Sequence, residues 1–243
     1  MTKAIVVNGV WKMFRLYHER ANMLKEVFIN LFRGGDKYDD FWALKDVSFS
    51  VQKGEAVGII GRNGAGKSTI FKLICGVLSP ERGDIVVQGR VSPLIELSAG
   101  LHPELTGLEN IYLNGAIYGL TKEAVDEKLQ EIVEFSGLGH FIHVPIRTYS
   151  SGMQARLGFS IAVNVDADIL LVDEVLAVGD AEFREKCYNK INQLKRDGIT
   201  IVYVSHQLKT VVNLCNRVIW LDKGEIQMVG KPQAIVEEYL NST

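Results

Sequence analysis

Cysteine, proline and long apolar runs are what this sequence has least of, and each shortage closes off a class of protein. Its three cysteines, Cys75, Cys187 and Cys215, are widely spaced and odd in number, with no C-x-x-C pair. They supply neither a disulfide framework nor a zinc-ligand set, and read as reduced, buried thiols of a cytosolic protein. Five prolines in 243 residues leave no proline-rich linker, and no low-complexity tract or internal repeat interrupts the chain. No uncharged apolar stretch approaches the roughly 20 residues of a membrane span. The start, Met1-Thr2-Lys3 and then Ala4–Val7, reads as a short strand and not as a signal peptide. Charge excess is missing too, because 27 Lys+Arg stand against 29 Asp+Glu for a net charge of −2. Surfaces that track phosphate backbones need a marked basic surplus, so nucleic acid is not expected as a partner. What is present is 47% hydrophobic and 23% charged residues, enough for a real core and too apolar for disorder. The length suits one domain, or one with a sub-lobe.

Periodicity then supplies an order of elements. Ala4–Val10 reads as a strand, and Val47–Val51 alternates as an edge or half-buried strand does. Between them, within about 15–40, Met23, Leu24, Val27, Phe28, Leu31 and Phe32 recur at helical spacing before Gly34-Gly35. This predicts an inserted amphipathic helix over Ala21–Phe32. The apolar run Ala56–Ile60 leads through a glycine-rich turn into a helix over Lys67–Cys75, closed by Gly76. Residues of about 98–160 are helical in pattern, with helices over Leu108–Tyr118 and from Thr121, an N-cap, to Phe135, ahead of Gly137. Strand Ile169–Val172, helix Glu182–Leu194 and strand Thr200–Val204 restore an α/β rhythm. A hairpin across Lys223-Gly224 and a short helix after Pro232 follow. Strands alternating with helices imply a mostly parallel sheet with its ligand at the strand C-termini.

The chemistry begins at Gly61-Arg62-Asn63-Gly64-Ala65-Gly66-Lys67-Ser68, which fits G-x-x-x-x-G-K-[ST] between a strand and a helix. Glycines allow the backbone to aim several N–H groups at phosphate oxygens, and the helix N-terminus adds its positive end. Lys67 then serves the β- and γ-phosphates, Ser68 offers a hydroxyl to Mg²⁺, and Thr69 falls beside the α-phosphate. Ile169-Leu170-Leu171-Val172 ends on Asp173-Glu174. Asp173 is the expected Mg²⁺ partner, and Glu174 the group that orients or deprotonates the attacking water. Together these motifs predict Mg²⁺-dependent hydrolysis of a nucleoside triphosphate.

Tyr149-Ser150-Ser151-Gly152-Met153 resembles the LSGGQ signature of ABC-type ATPases, with Ser151 and Met153 as departures. Val175–Asp180 resembles that family's D-loop, and His206, in Val204-Ser205-His206, its switch histidine. The motifs stand in family order across the whole chain. The resemblance implies an α/β fold: a P-loop NTPase core of the RecA-like, ABC type, with a small antiparallel β subdomain and a helical signature subdomain. It also implies a homodimer in which Ser150, Ser151 and Gly152 of one copy close over ATP held by the P-loop of the other, with Glu174, His206 and Lys67 catalytic. The family stacks adenine on an aromatic near the end of the first strand. Phe14 fits that place best, and Trp11, Trp42 and Tyr17 remain candidates. No glutamine stands at the family's Q-loop, where Glu96 is either a substitute metal or water contact or a surface carboxylate.

Four stretches narrow the resemblance: Phe41–Phe49, Glu96–Thr106, Thr148–Met153 and Asp173–Asp180. They are similar to the ATPase subunits that export O-antigen, teichoic acid and related lipid-linked polysaccharides. That implies a separate transmembrane permease subunit docked around Leu94–Leu108, indirect contact with the lipid-linked glycan, and a peripheral place on the cytoplasmic face of the inner membrane. The insertion, with its apolar face and its cations Arg15, Arg20, Lys25, Arg33 and Lys37, is either a membrane-interface device or a helix packed on the domain. The chain is expected to carry no C-terminal carbohydrate-binding domain, which longer relatives have. The alternatives are a soluble ABC-type ATPase of DNA repair or translation, or an ABC ATPase serving another exported cargo.

Overall fold

The computed structural model describes residues 2–17, 38–94, 100–173 and 179–242. The expected helix over Ala21–Phe32, the Q-loop residue Glu96 and the acidic Glu174 lie outside these described residues. Nine strands are described: β1 Lys3–Tyr17, β2 Tyr38–Gln52, β3 Ala56–Ile60, β4 Arg82–Val87, β5 Val91–Leu94, β6 Ile169–Asp173, β7 Thr200–Val204, β8 Arg217–Asp222 and β9 Glu225–Gly230. The described α-helices are α1 Lys67–Ile74, α2 Gly107–Ile117, α3 Lys122–Ser136, α4 Ser151–Ala162, α5 Ala181–Arg196, α6 Leu208–Leu214 and α7 Pro232–Asn241.

The strands form two sheets. A three-stranded antiparallel sheet runs β2-β1-β4, and a six-stranded sheet runs β5-β6-β7-β3-β8-β9. All neighbours in the larger sheet are parallel except the β8–β9 hairpin. Its central strands are apolar at successive positions because both faces are covered. Val57 and Ile59 of β3, Ile169 and Leu171 of β6, and Val202 and Val204 of β7 join one buried cluster with β1, β2 and α1. Ala56 and Ile60, Leu170 and Val172, and Ile201 and Tyr203 face the other way, onto α5, α6 and α7. A third cluster, including Ile111, Val125, Ile132, Leu157 and Ile161, is the core of the helical lobe.

Local chemistry sets several boundaries. Thr121 caps α3 by accepting from Ala124 N, and Gly137 ends it in the left-handed region at φ 64°. Lys223 and Gly224 both have positive φ, 48° and 82°, the backbone of a type I′ hairpin turn. Two strands differ from expectation. β1 does not stop at Val10 but continues to Tyr17, and β2 begins at Tyr38, so the two pair across the insertion through rungs such as Phe14↔Phe41. β4, β5 and α6 are further additions. The cysteines are unbridged, and burial pushes the thiols up to about 11 for Cys75 and about 12 for Cys187 and Cys215.

Candidate nucleotide site and signature surface

Parallel strands deliver their C-termini to one edge of the sheet. The loop after β3, the end of β6 and the turn after β7 therefore meet there. They enclose a cavity of about 300 Å³ that holds Asn63, Gly64, Gly66, Lys67, Ser68 and Thr69 together with Asp173 and His206. Three separate stretches of sequence thus converge on one volume, and its remaining walls are Phe14, Phe41, Ala43 and Val204. A larger cleft of about 450 Å³ lies at the opposite edge, between α3 and α5, and contains none of the motif residues. Chemistry, not size, picks the site.

The cradle is shaped by close approaches. Gly66 has φ 103°, and a Cβ there would lie 2.7 Å from Ala43 O and 2.7 Å from Leu44 Cδ2. At Gly61 a Cβ would fall 2.1 Å from Leu221 O, so no side chain fits where the loop leaves β3. Lys67 is 7% exposed, and its ammonium donates to Gly61 O at 2.8 Å and Arg62 O at 3.0 Å. The loop's own carbonyls thereby hold the cation at the mouth of α1, where the helix end is also positive. Gly61, Arg62 and Ala65 do not line the cavity: Ala65 is core, and the other two position Lys67. Ser205, 1% exposed, accepts from Gln207 N at 2.9 Å and so fixes the turn that presents His206.

Ser68 and Asp173 contribute a hydroxyl and a carboxylate to the same cavity. Two hard oxygen donors beside a phosphate cradle suit Mg²⁺, which completes its shell from phosphates and water rather than from a protein cage. These residues fit the ion.

The signature lies elsewhere. Ser150 is the N-cap of α4, and its Oγ accepts from Met153 N at 3.2 Å while its own proton stays available to donate. Ser150, Gly152 and Met153 line a second cavity of about 510 Å³ with Phe141, Arg156 and Asp180. Ser151 is exposed and lines neither cavity. The two cavities share no lining residue, so the signature and the P-loop cradle are separate surfaces of one copy.

Asp180, at the end of the D-loop stretch, joins this surface to the core. Its Oδ1 accepts from Phe183 N at 2.9 Å, capping α5, and its Oδ2 accepts from Arg156 of α4. The capping N–H above all, with the Arg156 charge, holds its carboxyl below the ordinary 3.8. A depressed carboxylate stabilises the fold above its unfolded pKa and stops doing so as pH falls through the folded value. Asp180→Ala is expected to melt a few degrees below wild type at pH 7, about 2–4 °C, with the gap closing below about pH 3.8. Thermal melts of both proteins across that range check it, and a gap independent of pH refutes the assignment.

Among known proteins, the sequence profile of one family, ABC transporter, matches residues 44–177. The chain belongs to that family. Over 244 aligned residues it is 46% identical to the O-antigen export system ATP-binding protein RfbB of Klebsiella pneumoniae, covering 98% of each chain. It is 44% identical to the teichoic acids export ATP-binding protein TagH of Listeria innocua over 97% of this chain and 69% of that protein. A solved ATP-binding subunit of an ABC transporter superposes with a TM-score of 0.78 at 23% identity, covering 97% of this chain and 93% of the other. A dimeric ATP-binding cassette in a post-hydrolysis state bound to ADP and Pi gives 0.75 at 22% identity, covering 94% and 98%. The ABC fold expected from the motifs is therefore the fold observed, with β2-β1-β4 as its antiparallel subdomain and α2–α4 as its helical lobe.

Of the ABC site residues, the structure brings Phe14, Asn63, Gly64, Gly66, Lys67, Ser68, Thr69, Asp173 and His206 together, and sets Ser150 and Gly152 on the second surface. Phe41 and Ala43 are additions that periodicity missed. Trp11 and Trp42 are not in the cavity but pack edge to face with centroids 5.4 Å apart.

Proposed function

We propose that this ABC chain is the ATP-binding and hydrolysing subunit that powers export of a lipid-linked polysaccharide through a separate transmembrane permease. The observation that carries the reading is end-to-end similarity to O-antigen export ATPases, 98% of each chain, with an intact P-loop, Asp173 and His206 in one cavity. Two copies would pair head to tail, since each cavity lacks the signature that the other copy carries. Lys67 and the loop amides bind the β- and γ-phosphates. Ser68 and Asp173 would hold Mg²⁺, and the ion would supply positive charge against the phosphates. Glu174 orients and deprotonates the attacking water, His206 steadies the transition-state charge, and Ser150 donates its hydroxyl to the partner copy's γ-phosphate. Loss of that phosphate opens the pair.

No described helix is long and apolar enough to cross a membrane; in this reading the chain acts from the cytoplasmic face of the inner membrane, peripheral to its permease. The proposed docking zone is mechanically tied to the signature. Ile146 N donates to Leu105 O at 2.9 Å and Arg147 N to Pro103 O at 2.9 Å, and Arg147 pairs with Glu104. These bonds fasten the segment before Ser150 to the loop after the Q-loop, so movement of one carries the other.

Deleting the gene in its own host is expected to abolish surface polysaccharide while lipid-linked glycan accumulates inside. Wild type restores export, whereas His206→Ala, with turnover down by about 10²-fold or more, does not. Surface glycan that persists after deletion overturns the export reading.

A further inference from the structure

Between Gly100 and Thr106 the chain is irregular yet firmly held. Asn110 of α2 is fully buried and its side chain clasps this loop. Its Oδ1 accepts from His102 N at 2.7 Å, and its Nδ2 donates to the carbonyls of His102, Leu105 and Thr106. One turn on, Asn114 Nδ2 donates to Gly100 O at 3.1 Å. The outcome is a stiff loop whose tip, His102-Pro103-Glu104, is exposed. Tyr149, directly before Ser150, stands where LSGGQ has leucine. It is 6% exposed and belongs to the lobe core that also holds Leu101 and Ile146. Its hydroxyl, which leucine lacks, donates to Phe141 O. The same oxygen lies against Gly107, the first residue of α2 beyond the loop, where a Cβ would fall 2.5 Å from Tyr149 Oη. A buried phenol pinned in this way does not swing aside cheaply, because moving it leaves polar groups unpaired in the core.

Resting on the ATPase reading above, we propose that Tyr149 is a positioning residue of the signature. It couples the exposed tip His102–Glu104 to Ser150, so that a load on the tip sets how firmly the signature grips the γ-phosphate held by the other copy. In that reading the permease supplies the load. The tip, the start of α2 and Tyr149 are joined by hydrogen bonds and one close contact, and a densely packed interior passes displacement on instead of absorbing it. Ser150 is the next residue, and its Oγ already accepts from Met153 N at the start of α4, so a shift of Tyr149 turns the Ser150 hydroxyl off its line to the phosphate. A leucine at this place would fill space but bond to nothing, and could not hold the same register.

The test uses the full-length chain carrying Glu174→Gln as parent, with ATP as the probe. Tyr149→Phe removes only the hydroxyl and is expected to weaken the ATP-driven dimer about two- to tenfold, the loss of one neutral hydrogen bond. ATP binding to the monomer stays as in the parent. Gly107→Ala sets a methyl against Tyr149 Oη and weakens the dimer about five- to 150-fold, again with monomer binding unchanged. Adding Tyr149→Phe to Gly107→Ala takes away the oxygen that the methyl meets, and returns the dimer to the strength of Tyr149→Phe alone. In the parent, ATP slows hydrogen exchange at the amides of Ile146 and Arg147, which bond to the loop, and Gly107→Ala loses that response. Losses that simply add in the double variant overturn the proposal. So do Tyr149→Phe dimers as strong as the parent's, a result that stands even if Gly107→Ala does not fold. A parent that binds ATP and never dimerises defeats the head-to-tail reading and the proposal with it, whereas a parent that dimerises while both variants match it defeats the proposal alone.

Discussion

Lys67→Ala is expected to lower ATP affinity by about ten- to 150-fold, the loss of a hydrogen-bonded charge worth about 1.5–3 kcal/mol. The reason lies in how the ammonium is held. At 7% exposure it is nearly buried, and it donates to carbonyls of its own loop, Gly61 O and Arg62 O. A lysine free in solvent would lose side-chain entropy on meeting a phosphate. This one has lost it already, so most of its attraction for the β- and γ-phosphates is retained as affinity. The effect should therefore depend on phosphate number, being large for ATP and ADP and small for AMP. Equilibrium titration of the three nucleotides against wild type and Lys67→Ala measures it. An ATP dissociation constant within threefold of wild type refutes the role given to Lys67.

Where function was legible in the sequence, the signal was local. The P-loop is eight consecutive residues whose backbone does the binding, so spacing alone reports the cradle. Thr121 and Gly137 mark α3 because caps act within one turn of the helix. The apolar runs of β3, β6 and β7 mark strands covered on both faces, as the two clusters on either side of the sheet show. What stayed hidden depends on partners distant in sequence. β5 contains Pro93 and lies at an edge of the large sheet, where a missing N–H is tolerated; only its pairing with β6 makes it a strand. Phe41 opens a stretch that marks the family but belongs to none of the nucleotide-binding motifs, and becomes a site residue through its rung with Phe14, itself possible because β1 runs seven residues past Val10. Arg156 and Asp180 are ordinary helix and cap residues until tertiary packing joins them. Site residues set by backbone geometry are thus readable from one sequence, while those set by register and packing need the fold.

Glu174→Gln is expected to bind ATP, to hydrolyse it about 10²–10⁴-fold more slowly, and to convert the chain from monomer to dimer when ATP is saturating. The amide keeps the size of the carboxylate and can still touch water but cannot accept its proton, so binding and chemistry separate. The expectation rests on the sequence, where Glu174 directly follows Asp173, the last residue of β6, which lines the phosphate cavity. The expected dimer rests on the proposed function, in which a γ-phosphate held by Lys67 in one copy meets Ser150 of another, these two residues lining separate cavities of one copy. Blocking hydrolysis leaves that phosphate in place and the pair closed. Light scattering of Glu174→Gln with ATP should therefore give twice the monomer mass, and with ADP the monomer mass. Adding Ser150→Ala should weaken the dimer while leaving monomer binding of ATP intact, because the hydroxyl acts across the interface and not within its own cavity. A Glu174→Gln protein that turns over ATP at the wild-type rate removes Glu174 from the chemistry, and one that stays monomeric under saturating ATP removes the shared phosphate as the link between copies.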